Sequence, residues 1–439
     1  MRLPKMKTAY QQHYLDEYQR VASKLPGKDI AWLTQLRQHA YDALEQQGLP
    51  HFRNEDWKYT NTDSIHKHGF SLVDAHNTDI DVAAYTIVDS YSVVFVNGHF
   101  AESLSNKPSN IAVNSLQQQL AKAPQALDSQ FAQIDLTVPG YNALNTLLMS
   151  DGYIIDVPAN TALDKPLHIL HLTTDAHMHH NRNLVQLGQG ASAIVLEQRV
   201  GLTDEKYFNT HLSQVFCDVN SQLTWYQLQQ AGNKGHEISH LHITQQRDSQ
   251  VSHFNCDLGG KLIRNDLHVT LAGENAECDL QGLYMTANKQ HVDNHTSIHH
   301  AVPHCRSHEF YKGILADKSR AVFNGRVIVA VDAQKTDAVQ TNNNLLLSDD
   351  AEIDTKPQLE IYADDVKCAH GATVGQLDEN ALFYLQSRGI DKAMAYDILT
   401  YGFAEEILHN MPCKAMQALF DDALKSHLPQ SQGVQELIA

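Results

Sequence analysis

Gly190-Ala191-Ser192-Ala193-Ile194-Val195, Asn220-Ser221-Gln222-Leu223-Thr224-Trp225, Asp248-Ser249-Gln250-Val251-Ser252-His253 and Asn275-Ala276-Glu277-Cys278-Asp279-Leu280 share one pattern, a polar turn followed by an alternating strand. Their starts fall roughly 27 to 30 residues apart, within the range of about 20 to 50 that marks stacked repeats. Lys318-Ser319-Arg320-Ala321-Val322-Phe323 and Asp349-Asp350-Ala351-Glu352-Ile353-Asp354 continue the theme after a longer gap, read as an insertion. The unit is strand, turn, strand with no helix between. That excludes a βαβ barrel and suits a solenoid whose coils bury one continuous core. Hairpins at so irregular a period would give an antiparallel double sheet instead, and the repeat alone does not separate the two.

The flanks read differently. Over 10–49, Tyr14, Tyr18, Val21 and Leu25, then Ile30, Leu33, Leu36, Tyr41 and Leu44, recur mostly at spacings of three and four, a helical pattern that Gly48 and Pro50 end. Toward the other end, Asp378 is placed to cap a helix through Ser387, Asp391 the next through about Leu408, and Pro412 precedes a third over 414–428. In that cap Ile398, Tyr401, Phe403 and Ile407 form a stripe read as core. The division is a helical region over 1–90, a mixed connecting segment over 91–150, a solenoid over 151–376 and a helical cap over 377–439.

At 439 residues the chain exceeds what one ordinary core supports, so several units or one elongated repeat are expected. It is 42% hydrophobic and 19% charged, with no apolar run near the roughly 20 residues of a membrane span. Met1-Arg2-Leu3-Pro4-Lys5-Met6-Lys7 leads into polar residues, not an apolar stretch, so no secretion signal is read and a cytoplasmic location is expected. The formal charge of −18 opposes nucleic-acid binding and suits a basic protein partner. Six cysteines lie far apart with no Cys-x-x-Cys, which fits reduced thiols and argues against a cluster held by this chain alone.

Several motifs tempt chemistry. His236-Glu237-Ile238-Ser239-His240 is a formal H-E-x-x-H, but Gly235 and the alternation that follows make it a strand, which would hold the histidines roughly 13 Å apart, too far for one zinc ion. His177-Met178-His179-His180 resembles a transition-metal tract, although its place between strands reads as an exposed turn. The run from His295 to His308, with Cys305 among five histidines, reads as rings and a buried thiol stacked on coils. No Gly-x-x-x-x-Gly-Lys-Ser/Thr loop is present for ATP, and no nucleophilic triad or pyridoxal-phosphate lysine stands out.

Cys368-Ala369-His370-Gly371 sets two soft metal ligands beside flexible backbone where the repeats meet the helical cap. Cys-x-His supplies two of the four ligands a closed site needs, so a second chain would have to complete it. An unpaired strand edge there is also a natural docking surface. Its setting is specific: Lys356-Pro357-Gln358-Leu359-Glu360-Ile361-Tyr362-Ala363-Asp364 before it, Asp365-Val366-Lys367-Cys368-Ala369-His370-Gly371-Ala372-Thr373 around it and Leu377-Asp378-Glu379-Asn380-Ala381-Leu382 after it. With Arg53-Asn54-Glu55-Asp56-Trp57-Lys58-Tyr59-Thr60, and with His300, Pro303, His304, Cys305 and Ser307 ahead of Tyr311-Lys312-Gly313, these stretches resemble the SufD family, scaffold subunits of the SUF system for iron-sulfur cluster assembly.

That resemblance implies a right-handed parallel β-helix between helical regions and a partnership with a SufB-like homologue through the β-helix edge. It also implies docking of a SufC-like ABC ATPase on the C-terminal helices. His370, helped by Cys368, would offer iron a ligand in a transient iron-sulfur cluster shared with SufB. An edge suited to SufB could also pair with a second copy of this chain, so a homodimer is the alternative for the isolated protein. The Cys-rich segment of the sister SufB family is missing here. Two other classes are weighed. A β-helix polysaccharide lyase or hydrolase would use carboxylates such as Asp279, Glu309 and Asp317. A histidine-rich metal buffer, drawn from the 27 histidines, would hold several ions per chain.

Overall fold

A computed structural model describes residues 9–73 and 80–429; residues 1–8, read above for a leader, lie outside them. The repeats close into a parallel β-solenoid of about eight turns. Each coil contributes one strand to each of two facing sheets, and successive coils pair in parallel. The ten-stranded sheet runs from the hairpin Tyr91–Val96 and His99–Phe100 through Leu167–Thr173, Ser192–Gly201, Gln222–Gln230, Gln250–Asp257, Glu277–Thr286, Arg306–Leu315 and Asp337–Leu346 to Lys367–Gly375. The nine-stranded sheet runs from Ala112–Ser115 through Tyr153–Val157, Met178–Leu187, Phe208–Cys217, His236–Gln245, Leu262–Leu271, His291–His300 and Arg320–Val329 to Glu352–Ile361. Antiparallel pairing among the described strands is confined to the first end, so the double-sheet alternative is not what forms.

The repeat period has a backbone cause. Gly190, Asn220, Asp248, Asn275, His304 and Lys335 stack at one corner, all at φ between 57° and 66°. Glycine, asparagine and aspartate tolerate that left-handed geometry best, which is why the first four starts stand out in the sequence. The turns are bonded to one another: the Asn220 N–H donates to the Arg247 carbonyl, Asp248 to Glu274 and His304 to Gln334. The inferred insertion between 280 and 318 is therefore absent. The fifth turn is Pro303-His304-Cys305, while Arg320–Val329 and Glu352–Ile361 belong to the opposite sheet.

Between the sheets lies an apolar core that includes Val93, Ile169, Val195, Trp225, Ile263 and Phe323. The two helical regions cover opposite outer faces. Helices Ala9–Val21, Ala31–Gln47 and Asn142–Leu148 bring Tyr14, Leu44 and Leu144 onto Met178, Phe208, Ile238 and Leu262 of the nine-stranded sheet. Helices Lys392–His409 and Lys414–Lys425 set Tyr401, Ile407 and Phe420 against Tyr226, Phe254 and Leu283 of the ten-stranded sheet, and the helix Glu379–Ser387 packs on Lys392–His409. The expected caps form, Asp378 accepting from the Asn380 N–H and Asp391 from the Met394 N–H. No helix among the described residues is long and apolar enough to cross a membrane.

Candidate functional site

The final strand, Lys367–Gly375, pairs on one side only, with Asp337–Leu346. The Lys367 N–H donates to the Thr336 carbonyl, so the alternation of a parallel ladder turns the N–H groups of Cys368, His370, Ala372 and Val374 outward. Cys368 and His370, two residues apart, share one face of the strand. Register shows which face. His370 lies over Gln340, which lies over Glu309, Leu280, His253, Trp225 and Val195 in turn. Cys368 lies over Ala338, Ser307 and Cys278. Both side chains therefore continue interior columns. His370 is exposed and Cys368 half-buried because the solenoid ends there and no further coil covers them.

The neighbouring edge differs. Glu352–Ile361 ends the nine-stranded sheet and carries Pro357, which lacks an N–H. The Glu352 N–H bonds inward to the Ser319 carbonyl, so position 357 falls on the outward set, where proline blocks further pairing. The strand bearing Cys368 and His370 is the one left open.

The chemistry beneath it is unusual. Burial pushes the Cys368 thiol up, with the carboxylate of Asp337 adding to the effect. A metal ion would have to displace its proton. One coil below His370, the Gln340 Nε2 donates to Glu309 Oε2 at 2.5 Å, while Glu309 Oε1 and Gln340 Oε1 have no partner. Burial pushes the Glu309 carboxyl up to about 7. Among the described residues Cys368 and His370 gather no third metal-capable side chain. The one group of three among the described residues is elsewhere, at His171, Glu197 and His211.

The remaining motifs resolve into structure. His236–Gln245 is a strand, so the H-E-x-x-H never forms: alternation sends Glu237 to the interior while His236 contacts Ser64 and His240 lies 3.4 Å from Asp266 on the outer face. The tract at 177–180 is not an exposed turn, as the sequence reading held. His179 and His180 are buried in Met178–Leu187, bonded to Asp175 at 2.8 Å and Thr210 at 2.7 Å. Alternation there is masked because polar side chains also fill the interior. In the run from 295 to 308, His295 lies against Asp293, His300 against Ser307, His308 against Asp279, and the Cys305 thiol donates to the Gly273 carbonyl. Asp279, Glu309 and Asp317 are not brought together: Asp279 faces out beside His308, Glu309 is fully buried and Asp317 sits in a turn at φ 55°.

Two positions that sequence reasoning passed over explain stretches it quoted. Arg264, buried, bonds to Asp266 and Asp293 and packs 3.8 Å from the Trp57 ring, while Thr60 donates to Asp293. The segment 53–60 is thus the dock of the N-terminal region on the solenoid. Lys312 reaches Glu406 and donates to the Phe403 carbonyl at 2.8 Å, tying the helical cap to its sheet. A lysine in mid-strand, flanked by Tyr311 and Gly313, was the available signal.

Comparison with known proteins agrees with this architecture. Residues 170–403 match the domain described as "SUF system FeS cluster assembly, SufBD core domain", and residues 8–169 match the "SufBD protein N-terminal region". An iron-sulfur cluster assembly SufBD family protein of Synechocystis is 34% identical over 410 residues, 89% of this chain and 90% of that protein. Escherichia coli iron-sulfur cluster assembly protein SufD is 33% identical over 405 residues, 90% of each. The chloroplastic protein ABCI7 of Arabidopsis thaliana is 25% identical over 413 residues, 90% of this chain and 85% of its own. With both halves of the chain matched and a relative of known name aligned along nine-tenths of its length, the chain belongs to the SufBD family of iron-sulfur cluster assembly proteins, as a homologue of SufD.

Proposed function

We propose that this chain is a scaffold subunit without an ATPase motif of its own, joined edge to edge with a SufB-like homologue so that a nascent cluster is built where the two solenoids meet. The observation that carries the reading is the open strand Lys367–Gly375, which leaves His370 and Cys368 at the top of interior columns with outward N–H groups above them. A strand added there would satisfy that edge and place its own side chains against both ligands. His370 would then offer iron an imidazole and Cys368 a thiolate, while the partner supplies further thiolate and sulfide. A mixed ligand set holds a cluster less firmly than four thiolates, which suits an assembly site that must hand its cargo on.

A SufC-like ABC ATPase would dock on the C-terminal helices, where Phe383 and Tyr384 stand exposed on Glu379–Ser387. Its ATP-driven movement would bias the subunit interface between two arrangements. The setting is cytoplasmic, and without its partner the same edge would pair with a second copy. The test is anaerobic co-purification of the complex followed by iron and sulfide analysis. His370→Ala is expected to leave assembly intact and abolish cluster yield. Normal yield from a fully assembled variant complex would overturn the role of His370, and failure of the unmutated chain to bring down either partner would overturn the complex itself.

A further inference from the structure

We infer that His171, Glu197 and His211 form a buried site for one divalent first-row transition ion, zinc(II) or iron(II), inside the solenoid and remote from its open end. The three residues come from three strands, Leu167–Thr173 and Ser192–Gly201 of one sheet and Phe208–Cys217 of the other. Their ligand atoms all lie within 4.8 Å of one another, and each residue is at most 5% exposed. A tetrahedral zinc centre with bonds of about 2.0 to 2.2 Å sets ligand atoms roughly 3.3 to 3.5 Å apart, so binding draws the three side chains inward by about an ångström.

Both rings of this cluster lack hydrogen bonds. Neither nitrogen of His171 and neither nitrogen of His211 has a hydrogen-bond partner. The His171 Nε2 lies 3.5 Å from Glu197 Oε1, an ion-pair contact and no more. A buried polar group left unpaired costs about 1 to 3 kcal/mol, and such groups are rare in native interiors. An ion takes a lone pair from each ring and an oxygen from the carboxylate. Two imidazoles and one carboxylate are the donor set that suits zinc or iron. The Tyr153 hydroxyl, 3.4 Å from the same carboxylate oxygen, is the nearest fourth group.

Ring geometry is already fixed: Phe95 stacks on His171 with centroids 5.0 Å apart, and the His171 and His211 rings meet edge to face at 4.8 Å. One group opposes the ion. Arg199 lies in register beside His171. Its compensation comes from the far side, where Glu237 Oε2 is 3.8 Å away.

The test uses the full chain carrying Cys368→Ser and His370→Ala, so that the open end contributes no ligand and the result does not depend on the assembly reading. The protein is produced in zinc- or iron-supplemented medium, the iron arm handled anaerobically, stripped of loose metal with a chelator and assayed for metal by mass spectrometry and X-ray absorption. One retained equivalent per chain, with two imidazoles about 2.0 Å from the ion, is expected. Adding His211→Gln should remove that equivalent. The inference is overturned if both arms come out metal-free, if the retained ion shows no imidazole pair, or if the equivalent survives His211→Gln. Should that variant fail to fold, the absorption spectrum of the parent decides alone.

Discussion

The two ends of the solenoid are built from the same kind of strand and finished in opposite ways. At the first end the ten-stranded sheet closes on Tyr91–Val96, buried but for Tyr91, and the chain turns back as His99–Phe100 and bridges Ser92 to Asn106 along the outer edge. The nine-stranded sheet closes on the antiparallel strand Ala112–Ser115, whose last residue caps the helix Leu116–Lys122 in a full capping box. At the other end Glu352–Ile361 is blunted by Pro357, and Lys367–Gly375 is neither covered nor blunted. Proteins ordinarily protect sheet edges because unpaired N–H and C=O groups recruit other chains. One end is finished by turned-back and capped chain, and the other leaves a bare strand that carries a thiol and an imidazole on its inward face.

The largest expected effect separates interior from end. Trp225, wholly buried in the column that His370 terminates, should cost about 3 to 5 kcal/mol when replaced by alanine. Val374, half-exposed on the bare strand, should cost within about 0.5 kcal/mol on the same change. Urea midpoints of the two variants measure the contrast. Equal losses would mean that the last coil is folded into the same cooperative core, and the comparison of ends would fail.

Between those extremes sits Glu309, two coils below the surface of the open end. Its folded value of about 7 lies above the unfolded carboxyl value of about 4.3, because burial favours the protonated acid. That contribution to stability is complete below about pH 4.3 and is lost as the pH rises through 7. Glutamine keeps the acceptor for Gln340, puts an amide where Oε1 has no partner, and cannot ionise. Glu309→Gln should therefore match the parent near pH 4 and exceed it by up to about 3 kcal/mol at pH 8. Denaturation at both pH values checks it; a variant no more stable at pH 8 would place the acid's proton loss elsewhere.

How far the sequence foretold this molecule depended on which residues filled the corner. Where Gly190, Asn220, Asp248 and Asn275 occupy the left-handed turn, residue type betrays conformation, and the coils were legible. Where His304 and Lys335 take the same geometry, nothing in their chemistry announces it, so two turns were missed and the reading jumped to the other sheet. The capped helices were legible because Asp378 and Asp391 act locally. The burial of His179 and His180 was not, since a polar interior erases the alternation by which strands are read. The bare edge was anticipated at Cys368 and His370, but the columns beneath them, and the contrast with Pro357, depend on inter-coil register that no single segment encodes.

The smallest effect on stability carries the sharpest test of the comparison. The Val374 N–H is one of the outward set, so proline there removes no hydrogen bond within the chain, and exposed edge positions accept proline. Val374→Pro should shift the urea midpoint by no more than Val374→Ala does, within about 0.5 kcal/mol. Yet it converts the open edge to the state Pro357 already imposes on its neighbour. If the strand Lys367–Gly375 pairs with another chain, the variant should lose that association, with the homologue and with itself, while His370 and Cys368 remain in place. His370→Ala should do the reverse, keeping association and losing cluster. Size-exclusion and pull-down measurements on the two variants thus separate the edge from its ligands. Unchanged association in Val374→Pro would show that partners meet this end through side chains or the helical cap, leaving the bare strand without the role its exposure assigns it.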